Sequence, residues 1–340
     1  MPYQPRLMES ACIRFKGGEC TSCADVCPSK AISLSRAPSV AGGLCLSCGA
    51  CASACPVDAV KHRSTAQLLK KIASLCPTAT ISVGCFAIPF VPAGMVQLDG
   101  CLSAIGLAAL AALALADVET IQFVHGHCDK CPKGDHCHLF VKTLRALRTA
   151  CPDSVEKMKC VLKDSSPLVA ANTMTRRGLF NMFGSCKDAV SSPVTADDSF
   201  FSHLLGLDSK RVRLHTVFGS LSCVLSVPET VRIAEIEITQ SCTGCGACSR
   251  ICPVNALEFI ADTHNFSIRF MAWKCVDCGL CIKSCLSGSI ERRPATLESL
   301  TNEIPSTLYA GSLKECKRCK VRSTTLKNGY CSICAHSLNL

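Results

Sequence analysis

The sequence predicts an α+β chain: two small cysteine-built modules flank a small parallel α/β domain, and a short four-cysteine ribbon closes it. Thirty cysteines lie among 340 residues, most of them in Cys-x-x-Cys groups. Those groups concentrate towards the two ends, while the stretch between alternates short apolar strands with apolar helical runs. The length suits several separate cores. Composition shifts place the divisions at 1–75, 76–165, 166–236 (a connector), 237–295 and 296–340.

Cysteine at this density in a short secreted chain would mean a disulfide scaffold. Here the N-terminus MPYQPRLMES lacks the charged-then-apolar pattern of an export signal. Tight Cys-x-x-Cys spacing also favours metal over disulfide, so a reducing, cytoplasmic location is expected. The longest apolar run, residues 102–116, is fifteen long. A bilayer crossing takes about twenty, so a buried helix and no transmembrane segment are expected. Arg176-Arg177 in TRRGLF lies mid-chain with no apolar stretch behind it and reads as a helix start. The formal charge of +10 counts every cysteine as neutral. Four thiolate-bound clusters at about −2 each would cancel most of it, so the basic balance does not point to nucleic acid.

CTGCGACSRICP places Cys242, Cys245, Cys248 and Cys252 at C-x2-C-x2-C-x3-C-P, and CVDCGLCIKSCL repeats the spacing with Cys275, Cys278, Cys281 and Cys285. A small-residue loop lets three thiolates curl around one corner of a cube, and the turn after it aims the fourth away. In such paired runs the fourth cysteine serves the other cluster. Cys242, Cys245, Cys248 and Cys285 are therefore expected to hold one 4Fe–4S cluster, and Cys252, Cys275, Cys278 and Cys281 a second. Leu286 stands where proline is usual, which touches the turn and not a ligand.

CLSCGACASACP repeats the run with Cys45, Cys48, Cys51 and Cys55. Its partner ECTSCADVCP supplies Cys20, Cys23 and Cys27 and lacks the first cysteine. Cys12, eight residues upstream, is the nearest replacement, and Gly17 and Gly18 would allow a looped-out insertion. The expected sets are Cys12, Cys20, Cys23 and Cys55, and Cys27, Cys45, Cys48 and Cys51. The alternative is a buried, non-ligating Cys12 beside a three-iron cluster. On these motifs residues 8–62 and 237–292 resemble bacterial dicluster ferredoxin domains, and the chain resembles a polyferredoxin. That likeness implies electron transfer through closely spaced clusters.

At the other end, Cys316, Cys319, Cys331 and Cys334 form C-x2-C-x11-C-x2-C. Two such knuckles make a tetrahedral sulfur cage that suits one zinc; a rubredoxin-type iron site has a longer spacer. The basic residues around it read as a solvated face.

Between the modules, ATISVGC, AGMVQLDGC and VETIQFVHGHC read as strands, with helices over 102–116 and 139–150. Strands alternating with helices argue a parallel sheet, whose ligands sit beyond the carboxyl ends of its strands. Cys85, Cys101, Cys128 and Cys131 each follow a strand end, which points to an additional iron–sulfur cluster on Cys128 and Cys131, with Cys85, Cys101 and Cys137 competing for the remaining places. A zinc site using His127, His136 or His138, and a nucleophilic Cys–His pair, are the alternatives. The order of cysteines, helix and GHC…GDHCH resembles the iron–sulfur delta subunit of methyl-viologen-reducing hydrogenases, a resemblance that implies a cluster handing electrons between a hydrogenase and its acceptor. Cys76, Cys151, Cys160, Cys186 and Cys223 are scattered singly and read as core or incidental. Residues 293–313 read as a linker. No phosphate loop or Gly-x-Gly-x-x-Gly is present, so nucleotide cofactors have no support.

The function expected is electron relay as a subunit of a larger redox enzyme, with other electron carriers and a catalytic subunit as partners. Hydrogenases, formate or aldehyde oxidoreductases and heterodisulfide-reductase-like units are the classes that fit. A redox sensor or maturation factor, and a catalytic middle domain, are the competing readings.

Overall fold

A computed structural model describes residues 4–63, 68, 80–88, 95–131, 138–162, 209–221, 224–324 and 326–339. Of the sequence expectations, TRRGLF, Cys76, Cys137, His136, Cys186 and Cys223 lie outside the described residues. The chain forms two units, Met1–Met8 with Thr21–Val224, and Glu9–Cys20 with Leu225–Leu340. No helix among the described residues is long and apolar enough to cross a membrane.

In the first unit, Arg6–Leu7 pairs antiparallel with Val60–Lys61, and Ile32–Leu34 with Pro38–Val40. The short helices Ser22–Asp25 and Ala50–Ala54 follow the cysteine loops. Behind them lies a four-stranded, wholly parallel sheet. Thr80–Gly84 sits between Met95–Gln97 and Thr120–His125, which in turn pairs with Met158–Leu162. The first three strands follow from their apolar runs; the fourth buries only Met158, so its sequence carries little signal.

The apolar run 102–116 does not form the single helix expected. It breaks into a 3-10 turn, Leu102–Ala104, and a helix, Leu107–Leu115, capped by Gly106 in extended conformation. Hydrogen bonds to the neighbouring cysteine loop hold the turn apart from the helix: Ser53 Oγ donates to Ser103 O at 2.6 Å. Ala108 to Ala114 are all buried, as for a helix enclosed on every side. The helix His138–Ala150 seats Phe140, Leu144 and Leu147 in the core, where Phe140 meets Phe123 edge-on with centroids 4.9 Å apart.

The second unit pairs Glu235–Ile238 with Ile290–Arg293, and Leu257–Ala261 with Asn265–Phe270, both antiparallel. Ile236, Leu257, Phe266, Ile268, Phe270 and Ile290 make its core. The stretch read as a linker, 293–313, is instead structured. Thr296 caps the helix Leu297–Thr301 through a capping box, and Ser306–Ser312 joins Asn265–Phe270 as a third strand. Beyond it a two-residue hairpin, Lys314–Glu315 with Arg322–Ser323, and the helix Ser332–Ser337 carry the last cysteines.

The inserted segment Glu9–Cys20 belongs to this second unit. Gly17, at φ +91°, turns the chain, and a Cβ on Gly18 would lie 2.4 Å from Ile13 Cγ2. Lys283 Nζ meets Glu19 at 2.5 Å, and Lys16 Nζ reaches Pro253 O at 3.5 Å.

Candidate metal centres

One backbone device recurs through the cysteine loops. In each complete run the residues just before and just after the second cysteine are left-handed: Ser47 and Gly49, Gly244 and Gly246, Asp277 and Gly279. Alternating left-handed residues coil the loop tightly and gather its cysteines together; glycine bears this without a Cβ penalty. Three residues past the fourth cysteine the chain is left-handed again, at Lys30, Asp58, Asn255 and Gly288. That turn brings the next amide back onto sulfur: Ala31 N–H donates to Cys27 Sγ at 3.3 Å and Ala256 N–H to Cys252 Sγ at 3.2 Å. At Cys285 the hydroxyl of Ser289 stands 3.3 Å from Sγ. The irregular first run thus has the same turn as the regular ones.

Thiols from paired runs neighbour one another crosswise. Cys242 interacts with Cys245 and with Cys285, while Cys281 interacts with Cys275, Cys278 and Cys252. Cys51 interacts with Cys48, Cys45, Cys23 and Cys27. Cys27, Cys45, Cys48 and Cys51 line one recess of ≈ 350 Å³ of empty space, part of it open to solvent. Cys242, Cys245, Cys248 and Cys285 line another of ≈ 310 Å³. Burial, with neighbouring thiols adding to it, pushes Cys51 and Cys281 up to about 12, and burial takes Cys248 to about 11. At Cys285 burial acts upward too, but hydrogen bonds from Ser287 and Ser289 outweigh it and bring the thiol to about 7. Crowded, enclosed thiols of this kind lose their protons to a metal, and an all-sulfur donor set fits iron–sulfur ligation. Residues 241–289 match the 4Fe-4S dicluster domain, and residues 42–61 match the 4Fe-4S binding domain.

Two ferredoxin-type 4Fe–4S domains are present. They point to iron–sulfur electron transfer. No curated protein matches the chain.

Of the remaining ferredoxin-type cysteines, Cys23 and Cys55 are buried in the first unit, while Cys12 and Cys20 lie half-buried on Glu9–Cys20 in the second. Arg232 Nη1 stands 3.9 Å from Cys20 Sγ. Leu286, at the place usual for proline, is fully exposed.

A contact that sequence reasoning missed lies behind Cys55. The side chain of Lys210, first residue of the helix Lys210–Ser220, donates to the carbonyls of Ala52 at 2.6 Å, Ser53 at 3.1 Å and Cys55 at 2.8 Å. Asp58 accepts from the backbone N–H of Lys210 at 2.5 Å and from Arg213 at 3.4 Å. Burial pulls the Lys210 ammonium down, while Asp58 and Cys55 act to raise it. No local pattern announces a cap supplied from so far along the chain.

In the middle domain, parallel strands bring their carboxyl ends to one edge. Cys85 directly follows Thr80–Gly84 and donates its N–H to Val124 O at 3.1 Å. Cys101 donates its N–H to Cys48 O at 3.2 Å. Burial pushes the Cys101 thiol up, and the Cys48 and Cys85 thiols add to the shift. Gly49 lies in this contact: a Cβ there would stand 2.5 Å from Ala104 Cβ. Cys128 opens the 3-10 turn Cys128–Lys130, with Sγ 3.9 Å from His125 Nδ1, and Cys131 closes it half-buried. Cys151 is fully buried and Cys160 exposed.

Among the described residues, the one group whose ligand atoms all lie within 4.8 Å is Cys316, Cys319, Cys331 and Cys334. A tetrahedral zinc with Zn–S of ~2.3 Å sets its sulfurs ~3.8 Å apart; Cys319 Sγ and Cys331 Sγ are 3.6 Å apart. These four could therefore hold one metal ion. N–H donors of Cys319 and Cys331 hold the Cys316 thiol low, at about 6, while neighbouring thiols and burial push Cys334 up to about 12.

Proposed function

We propose that this chain is a polyferredoxin-type electron-transfer subunit, relaying electrons within or to a larger redox enzyme. What carries the reading is the crosswise neighbourhood of Cys285 with Cys242 and of Cys252 with Cys281. Four 4Fe–4S clusters would occupy the sets given by the runs: Cys242, Cys245, Cys248 and Cys285; Cys252, Cys275, Cys278 and Cys281; Cys27, Cys45, Cys48 and Cys51; and Cys12, Cys20, Cys23 and Cys55. Such clusters supply one-electron carriage. The chain's own part is to hold the thiolates, to hydrogen-bond their sulfur and to limit water, the levers that set potential.

Cys85, Cys101, Cys128 and Cys131 would hold an additional cluster. The hydrogen bond from Cys101 to Cys48 supports this, because it would join that site directly to a ferredoxin-type ligand. Cys316, Cys319, Cys331 and Cys334 would hold zinc, which the short sulfur–sulfur distance favours over a cluster. A hydrogenase, a formate or aldehyde oxidoreductase, or a heterodisulfide-reductase-like unit would be the catalytic partner.

Anaerobic purification of the full chain, with iron and acid-labile sulfide analysis and EPR, tests the reading. Two loaded modules give about sixteen irons. Fewer than about ten after full reconstitution overturns it.

A further inference from the structure

We propose that Lys210 is a positioning residue that keeps a positive charge against Cys55 and so raises the reduction potential of the cluster Cys55 ligates. The inference rests on the electron-transfer reading above. Three carbonyls, those of Ala52, Ser53 and Cys55, accept from one nitrogen. A neutral amine has two N–H bonds, whereas the ammonium has three donors, so the full set of contacts belongs to the charged form. Asp58 Oδ1 lies 3.7 Å from Nζ, and the Asp58 carboxylate also faces Arg213 at 3.4 Å. One carboxylate is thus shared between two cations, and the Lys210 ammonium stands against the peptide of the ligand.

The charge is little screened. The Lys210 side chain is 16% exposed and that of Asp58 13%, so few water molecules stand between ammonium and ligand. A reduced cluster carries one more negative charge than an oxidised one. A fixed cation hydrogen-bonded to the ligand's own peptide favours the reduced state, in keeping with the dependence of potential on local charge and hydrogen bonds. The same contacts close the carbonyl end of Ala50–Ala54, the helix that carries Cys51. A purely structural cap would serve as well with any donor of similar shape; the electrostatic role requires the charge.

EPR-monitored redox titration of the intact protein separates the two. Lys210→Met keeps the stem and removes the charge; the cluster's reduction equilibrium should move on the order of tenfold towards the oxidised form, ~59 mV for one electron. Asp58→Asn removes the opposing charge and should move the same potential upward. Lys210→Arg should stay near the native value. The clusters of residues 241–289 serve as an internal reference and should not shift. Clusters that load normally yet titrate natively in both Lys210→Met and Asp58→Asn overturn the proposal. A wild-type protein that loads no cluster in its N-terminal run overturns the electron-transfer reading itself. Should Lys210→Met lose its cluster, Asp58→Asn decides: an upward shift supports the charge effect, and its absence overturns it.

Discussion

Ala31 donates its backbone N–H to Cys27 Sγ at 3.3 Å, the bond that Ala256 makes to Cys252 at 3.2 Å. Cys27 thus receives the same support as a cysteine in a complete run. Cys27→Ser should remove or convert the cluster shared with Cys45, Cys48 and Cys51, a loss of between about one and four irons. EPR of the variant should retain the signals of residues 241–289; loss of those signals instead would contradict the assignment.

Cys12→Ser addresses the missing first cysteine. The expected outcome is a three-iron signal or the loss of about four irons, with the C-terminal pair intact. An unchanged spectrum and iron content would show that another residue supplies the ligand.

Gly49 and Gly279 occupy equivalent left-handed positions, φ +82° and +69°. Alanine at Gly279 meets nothing within 4 Å, whereas at Gly49 it meets Ala104. Gly279→Ala should cost only the left-handed penalty, about 1–2 kcal/mol. Gly49→Ala should cost more and should loosen the Cys101–Cys48 contact. Amide exchange at Cys101 and the midpoint of unfolding check this; equal losses would mean that the Ala104 contact yields freely.

Metal affinity of the C-terminal cysteines should rise with pH. Cys316, held at about 6, is already largely thiolate near neutrality, while Cys334, at about 12, must release a proton to bind. Below about 6 Cys316 protonates as well, so a bound metal ion should dissociate more steeply there. A competitive chelator titration of the full chain between acid and mildly alkaline pH measures it; pH-independent affinity would contradict the thiolate count.

Replacing both Cys128 and Cys131 by Ser should abolish the additional cluster, with iron and labile sulfide lost together. The parallel sheet should stay folded, since its core rests on Val83, Ile121, Phe123 and Leu110. Circular dichroism with metal analysis reads both. Loss of zinc alone would make the middle domain a structural or docking element.

Much of this was legible because ligand chemistry leaves little freedom. In paired runs of this type the fourth cysteine is expected to cross to the other run's site, so the neighbourhood of Cys285 with Cys242 could be anticipated from the motifs. The first three strands of the parallel sheet were legible from short, largely apolar stretches such as TIQFVH. Two strands were not. Met158–Leu162 lies at an edge with one buried residue, and Ser306–Ser312 has none fully buried, so neither alternates clearly. The break at Gly106 depends on bonds to a distant loop, and the Lys210 cap depends on a partner far along the chain. Local pattern encodes neither.

That last separation bears on how the protein is made. Ala52 and Lys210 stand 158 residues apart. At ~5–20 residues per second, a ribosome takes roughly 8–30 s to reach the lysine after finishing the carbonyls it will cap. Throughout that interval the N-terminal cysteine run exists as nascent chain without its buried cation. A cluster delivered early would meet a different electrostatic environment from one delivered after release, and the site would reach its final environment only once Lys210 has been made and has docked.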